Sequence, residues 1–180
     1  DDTQLDILPS FNLIYSLNKK QNLRMSGSKT LNRPEFRELA PFLFYDFDTR
    51  FNTSGNPNLK ITDIYNADLR YEYFLGKGQM LSVSTFYKNF KNPIELQALA
   101  NNSNVYQNAS SGTNYGVELE FRLLASTLFG AKENKFLDDL TIFSNLAVIR
   151  SEVDISNLTP SAVATPLQEQ SPYVFNAGLQ

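Results

Sequence analysis

Two stretches of the chain, Tyr65 to Leu75 and Tyr115 to Leu123, alternate large apolar and polar side chains almost without error. Successive side chains of a strand point to opposite sides. Tyr65, Ala67, Leu69, Tyr71 and Tyr73 therefore share one face, and Asn66, Asp68, Arg70 and Glu72 share the other. In the second stretch Tyr115, Val117, Leu119, Phe121 and Leu123 oppose Asn114, Gly116, Glu118, Glu120 and Arg122. One face is too charged for a core, and the other is too apolar and aromatic to stand in water. The pattern predicts a sheet that separates an apolar phase from an aqueous one, as the wall of a transmembrane β-barrel does.

A soluble β-sandwich also alternates, with its apolar face packed on a second sheet. Strand length separates the two readings. Strands of globular proteins run about 5 to 6 residues, whereas a tilted strand needs about 9 to 11 to cross a bilayer. The sequence predicts strands over 5–18, 22–31, 62–75, 79–92, 112–124, 139–153 and 173–180, most of them long enough to cross. Their links fall into two kinds. Asn18-Lys19-Lys20-Gln21 and Gly76-Lys77-Gly78-Gln79 are tight polar turns, while 32–61, 93–111 and 154–172 are long and rich in Asn, Ser, Pro and Thr. Short and long links taking turns predict an antiparallel up-and-down meander, paired in sequence order without a parallel pair, with short turns on the periplasmic side and long loops outside. The medium link 125–138 lies on the short side, with an exposed tip expected at Gly130-Ala131-Lys132-Glu133-Asn134-Lys135. Helix is expected only as a turn or two in that link or in the long loops.

Composition narrows the function. The 180 residues contain no Cys and no His, which removes disulfides, thiolate or imidazole zinc sites and His-based catalytic triads. Nothing signals catalysis, a cofactor or a metal. Fourteen Phe and nine Tyr suit aromatic girdles at two membrane interfaces. A mean hydropathy of -0.31, with no apolar run of about 18 residues, argues against helical spans. A net charge of -3 and a pI near 5.0 argue against nucleic-acid binding, which needs a basic footprint. Seven strands is an odd number, and single-chain bacterial barrels have even numbers. With no start methionine, signal peptide or plug-like segment at its beginning, the chain reads as a piece of a barrel whose edge strands are left open.

An ordered series of motifs carries a family resemblance. Leu31-Asn32-Arg33-Pro34-Glu35-Phe36-Arg37-Glu38-Leu39-Ala40-Pro41-Phe42 closes an upward strand. Gly55-Asn56-Pro57-Asn58-Leu59 follows and leads into Asn66-Ala67-Asp68-Leu69-Arg70-Tyr71-Glu72-Tyr73. Then come Leu81-Ser82-Val83-Ser84-Thr85-Phe86-Tyr87-Lys88, Asn92-Pro93-Ile94 and Tyr115-Gly116-Val117-Glu118-Leu119-Glu120. From about Leu8 onward the series resembles the C-terminal half of the barrel of TonB-dependent outer-membrane receptors. The resemblance implies a barrel of about 22 strands around an N-terminal plug. It also implies non-enzymatic import of a siderophore, cobalamin or glycan, energised through TonB. Residues 1–180 would be a partial barrel domain with plug and TonB box outside them. The implied partners are the outer-membrane bilayer, the receptor's own plug, TonB and a surface lipoprotein. The alternatives are a secreted or surface β-sandwich that binds carbohydrate, and a porin or adhesin barrel without TonB.

Each candidate site also has a plain structural reading. Arg33 and Arg37, with Glu35 and Glu38, could hold an anionic ligand at the rim; a local salt-bridge cluster bracing the loop at Pro34 is the preferred reading, although exposed pairs contribute only about 0 to 1 kcal/mol each. Pro34 should end sheet pairing, since it donates no ladder hydrogen bond. Asn66, Asp68, Arg70, Glu72, Glu118, Glu120 and Arg122 would face the lumen and line a path, or pair across strands and with the plug. Asp46, Asp48 and Asn52 have a loose calcium-loop spacing but lack the glycine and bidentate glutamate of an EF-hand, so an ordinary acidic loop is preferred. Phe42, Phe44, Tyr45, Phe47 and Phe51 make this loop unusually aromatic. They would stack on sugars or flat ligands, with Phe44, Tyr45 and Phe47 foremost, or fold the loop onto itself or a partner. Four Asn-x-Ser/Thr sequons, at Asn52, Asn101, Asn108 and Asn157, fall in predicted loops and signify little beyond polar composition.

Overall fold

The computed structural model describes residues 5–47, 50–99, 103–130, 134–158, 164–168 and 170–180. Alternation along the chain produces seven wall strands: β1 (Ser10–Asn18), β2 (Gln21–Asn32), β5 (Thr62–Gly76), β6 (Gln79–Lys91), β9 (Ser111–Leu124), β10 (Thr141–Asp154) and β11 (Tyr173–Leu179). They pair antiparallel in the order β1-β2-β5-β6-β9-β10-β11, a meander in which each wall strand lies beside its neighbour in the chain. β5, β6, β9 and β10 have 15, 13, 14 and 14 residues, longer than a bilayer crossing needs. β1 and β11 are the outermost strands, and every residue of β1 is exposed.

The tight turns form at Lys19-Lys20 and Lys77-Gly78. In the first, the Asn18 side chain accepts the Lys20 amide at 2.9 Å. In the second, Gly76, Lys77 and Gly78 all have positive φ, at 95°, 51° and 75°. Glycine at two of these three positions removes most of the Cβ penalty of the left-handed region. The link from β9 to β10 folds as two short helices, α2 (Ala125–Leu128) and α3 (Lys135–Asp139), joined by a hydrogen bond from Ser126 Oγ to Asp138 Oδ1. Ala131, Lys132 and Glu133 of the expected tip lie outside the described residues.

The long loops depart from expectation. They contain α1 (Phe36–Leu39) and four short strands, β3 (Leu43–Asp46), β4 (Phe51–Ser54), β7 (Ile94–Leu99) and β8 (Ser103–Asn108). These strands form a second sheet in the order β3-β4-β8-β7, in which β4 and β8 pair in parallel, with Asn52 opposite Ser103 and Ser54 opposite Val105. The expectation of one meander without a parallel pair therefore holds for the wall and fails for the loops. Two hairpins rise from the same rim, and the inner strands that meet are not consecutive in the chain, so nothing forces them to run antiparallel. Asn52 lies in β4 and Asn108 ends β8, so these two sequons are strand positions of the outer sheet; Asn101 lies outside the described residues.

Burial in the wall is inverted relative to a soluble protein. Glu72, Ser82 and Asn114 are buried, while Tyr65, Leu69, Val83, Tyr87, Tyr115, Val117, Leu119 and Phe175 are exposed. The second sheet does not cover this apolar face, with Leu69 and Leu119 at 41% and 47% exposure. A β-sandwich would have buried both.

Candidate functional site: the inner wall and the outer loop sheet

Strand register brings the predicted lumen residues together on one face. Arg70 and Glu72 of β5 stand beside Ser84 and Ser82 of β6, and beyond them lies Glu120 of β9. Glu72 Oε2 receives Arg24 Nε of β2 at 2.9 Å and Glu72 Oε1 receives Arg70 Nε at 3.0 Å. The same Arg70 reaches across β6 to Glu120 Oε2 at 2.7 Å and donates to Ser84 Oγ at 3.2 Å. Four strands are thus tied by two guanidiniums and two carboxylates through single charge-assisted hydrogen bonds, with Arg70 bridging the two carboxylates. Arg70 and Glu120 pair across strands, while the Arg70–Glu72 contact lies within β5. Asp68 accepts from Ser26 Oγ at 3.2 Å, Asn66 donates to Thr30 Oγ1 at 3.1 Å, and Arg122 donates to Gln180 Oε1 at 2.7 Å.

Toward the loops the inner face opens into a shallow cavity of about 470 Å³. Arg24, Asp68, Arg70, Lys88, Glu118 and Gln170 line it. Arg24 was readable from strand parity, since it alternates with the outward Leu23 and Met25, and Lys88 from its place opposite the inward Asn66. Gln170 was not, because it arrives from the loop between β10 and β11. That loop folds back onto the wall and the outer sheet. Gln170 Oε1 accepts from Asn114 Nδ2 at 3.0 Å, while the Gln168 side chain pairs with Leu96 as a strand backbone would, donating to its carbonyl at 2.8 Å and accepting its amide at 3.3 Å.

The rim residues divide differently from expectation. Arg33 pairs with Asp6 at 2.8 Å. Glu35 and Glu38 form a reciprocal capping box at the start of α1. Arg37 stacks its guanidinium 3.9 Å from the centroid of the Phe44 ring. Among the described residues these four side chains make no salt bridge with one another; helix capping, a cation–π contact and the Arg33–Asp6 pair take up the charges instead. Sheet pairing of β2 does stop at Asn32, ahead of Pro34.

The aromatic residues gather around β3. Phe42 and Phe44 meet edge to face at 6.4 Å, and Tyr45 and Phe47 at 5.1 Å. The rings are not sequestered: Phe42 is 54% exposed and Phe47 84%. β3 is also an edge of its sheet, so the cluster faces outward beside unpaired backbone. Of the calcium-loop spacing, Asp48 and the Asp46 side chain lie outside the described residues, and Asn52 sits in β4 opposite Ser103.

Side chains of Asn hold the outer sheet to the wall. Asn108 donates to the carbonyls of Lys60 and Asn92 at 3.0 and 2.8 Å and accepts the Lys60 amide at 2.7 Å. Gly55 packs where a Cβ would run into the carbonyl oxygens of Ala40 and Glu38. Glu95 of β7 is buried, with no ion pair to a described residue, and burial pushes its carboxyl up to about 7.

The chain's architecture matches that of solved proteins. It superposes on the siderophore receptor PirA from Pseudomonas aeruginosa with a TM-score of 0.60 and 20% identity, covering 83% of this chain and 27% of that one. A ferric enterobactin receptor mutant from the same organism (PfeA), in complex with enterobactin, gives 0.64 and 20% over 96% of this chain and 25% of that one. PirA from Acinetobacter baumannii gives 0.63 and 18% over 94% and 26%. The chain thus spans about a quarter of the length of these receptors. No protein of curated function matches it in sequence. A family model described as TonB dependent receptor-like, beta-barrel, matches residues 1–180. The inside-out wall, the alternation of turns and loops and this full-length match agree: the chain belongs to the TonB-dependent receptor family, as part of its outer-membrane β-barrel.

Proposed function

We propose that these residues are a partial barrel domain of a receptor that captures a ferric siderophore at the cell surface and imports it with energy relayed through TonB. The plug that fills the lumen and the TonB box belong to the rest of the receptor. The observation that carries the substrate class is the exposed cation–aromatic cluster on the outer sheet, with Arg37 on Phe44 and with Tyr45 and Phe47 beside it. Flat, electron-rich and anionic chelates suit stacked rings next to a guanidinium. The receptors with this fold that are named above add support, since each is described as a siderophore or ferric enterobactin receptor. Below the cluster, the inner cavity wall carries charges of both signs, with Lys88 beside the ion-paired Arg24 and Arg70 and the carboxylates Asp68 and Glu118.

Uptake of labelled ferric siderophores by iron-limited cells carrying the complete receptor tests the reading. The double change Arg37→Ala and Phe44→Ala should lower apparent affinity about tenfold, the loss expected for one cation–π contact and one stacking ring, with heat-modifiable gel mobility unchanged. Removing TonB should abolish uptake. Import of cobalamin or a glycan in place of every ferric chelate would reassign the substrate class, and unchanged affinity in the double variant would move the site. If the cluster instead docks a surface lipoprotein, the same variant would lose that partner while keeping free-ligand affinity.

A further inference from the structure

Among the described residues, charges on the apolar side of the wall occur near the long loops. Lys29, Asp63, Lys91, Arg150, Glu152 and Asp154 all stand on that face by register, within the last turns of their strands before the loops. At the opposite end the same face presents Leu23, Tyr73, Leu81 and Leu123, with no charge among the described residues. The apolar band is therefore bounded by ions on the side that meets the outer leaflet.

These ions are not spread evenly. On β10, Arg150 is held by Glu152 at 2.8 Å with Asp154 nearby, leaving that patch acidic. On β2, β5 and β6 the balance is reversed. Lys29 and Lys91 flank Tyr65 from the two neighbouring strands, with their Nζ atoms 5.9 and 5.3 Å from the ring centroid. One carboxylate, Asp63, stands between them: it pairs with Lys29 at 2.8 Å, and only its register position lies opposite Lys91. Lys91 makes no ion pair among the described residues. Two ammonium groups fixed about one tyrosine, with one counter-charge between them, leave an unneutralised cation at the depth where lipid headgroups begin. An aromatic ring at that depth is itself an interface anchor.

We propose that Lys29, Tyr65 and Lys91 form a lipid-headgroup site on the outside of the barrel, which takes the phosphate of an anionic lipid in the outer leaflet. Lys91 supplies the free charge, Lys29 completes the pair while keeping Asp63 turned aside, and the Tyr65 ring holds both stems against the apolar band. A surface cation attracts an anionic bilayer modestly by itself. Two that converge on one ring select a bound lipid.

The test uses the complete receptor in nanodiscs of phosphatidylcholine containing a minority of phosphatidylglycerol. Lipid retained after transfer to neutral detergent is counted by native mass spectrometry. The wild type should retain phosphatidylglycerol over phosphatidylcholine. Lys91→Gln should lower that preference about fivefold, as expected for one cation near an anionic surface, and adding Lys29→Gln should lower it further. Lys91→Arg should retain it, and Arg150→Gln, which removes a cation already neutralised, should change nothing. Heat-modifiable mobility checks folding. Should the double variant misfold, Lys91→Gln alone decides, because it breaks no ion pair. Unchanged preference in Lys91→Gln would overturn the proposal, as would equal loss in Arg150→Gln. Displacement of the lipid by inorganic phosphate at equal concentration would show a soluble-anion site and overturn it too.

Discussion

The wall sheet and the outer sheet are built from the same chain by different rules. In the wall, seven strands pair with chain neighbours, side chains alternate between two phases, and carboxylates and guanidiniums tie β2, β5 and β9 across the inner face. In the outer sheet, four strands of four to six residues come from two separate loops, meet through a parallel pair, and depend on Asn and Gln side chains for attachment. Wall pairing is local and repetitive, so many equivalent contacts must fail before a strand leaves. The outer sheet rests on a few specific hydrogen bonds. It follows that the wall is most sensitive to a charge on its lipid face, whereas the outer sheet is sensitive at a few single positions that hold it in place.

The sharpest way to break the contrast is to attack the wall from the lipid side. Leu69→Arg or Leu119→Arg near mid-strand should cost about 2 to 4 kcal/mol in the assembled barrel, because the bilayer interior solvates charge poorly. Loss of the heat-modifiable band would report it. The same change at Asn66, on the inner face, should be mild. Failure of Asn66→Arg alongside wild-type behaviour of Leu119→Arg would invert the facing of the sheet.

A smaller effect is expected at Gly55, where any Cβ meets two backbone carbonyls that cannot swing away as a side chain could. Gly55→Val should cost about 1 to 3 kcal/mol of local strain, open β3 and β4 to protease, and leave the wall band intact. Loss of the wall band would show that the two sheets fold as one unit. Asn108→Ala removes three hydrogen bonds between the loops and should speed amide exchange in β7 and β8 by about tenfold, the value of one net hydrogen bond. Protection equal to wild type would show that Gln168, together with Asn157, whose side chain donates to the Asn108 carbonyl at 3.0 Å, suffices.

The smallest effect is a pH dependence. Folding raises the Glu95 carboxyl from its ordinary value of 4.5 to about 7 by burial. Its neutral form is thus favoured in the folded sheet, and its stabilising share is complete below the unfolded value and lost as pH rises through about 7. Amide exchange in β7 should quicken between pH 5 and pH 8 relative to the wall, by about the amount one titrating group allows. Glu95→Gln should flatten that profile; an equal slope in the variant would assign the titration elsewhere.

How much of this was legible beforehand follows from the same contrast. The strand predicted over 62–75 is β5 at Thr62–Gly76, and that predicted over 79–92 is β6 at Gln79–Lys91. The lumen set from Asn66 to Arg122 falls on one face as parity requires, because a two-residue period leaves no freedom once the register is fixed. Arg33, Arg37, Glu35 and Glu38 show the limit. Their charges suggested one another as partners, yet Asp6, Phe44 and a helix start took them instead.

The sequence alone determined the wall's strand order, its two faces and the end at which its turns lie, since each is set by residues adjacent in the chain. Strand starts were less exact: the strand predicted over 5–18 begins only at Ser10, and that predicted over 139–153 at Thr141, after α3. Tertiary structure alone decided the outer sheet and what reaches the site. The parallel meeting of β4 with β8, the return of Gln168 and Gln170 onto strands more than fifty residues away, and the convergence of Lys29 and Lys91 on Tyr65 join segments whose local patterns carry no information about each other. Long loops close at a cost that grows only slowly with length. Many closures were therefore available to them, and packing above the rim selected this one.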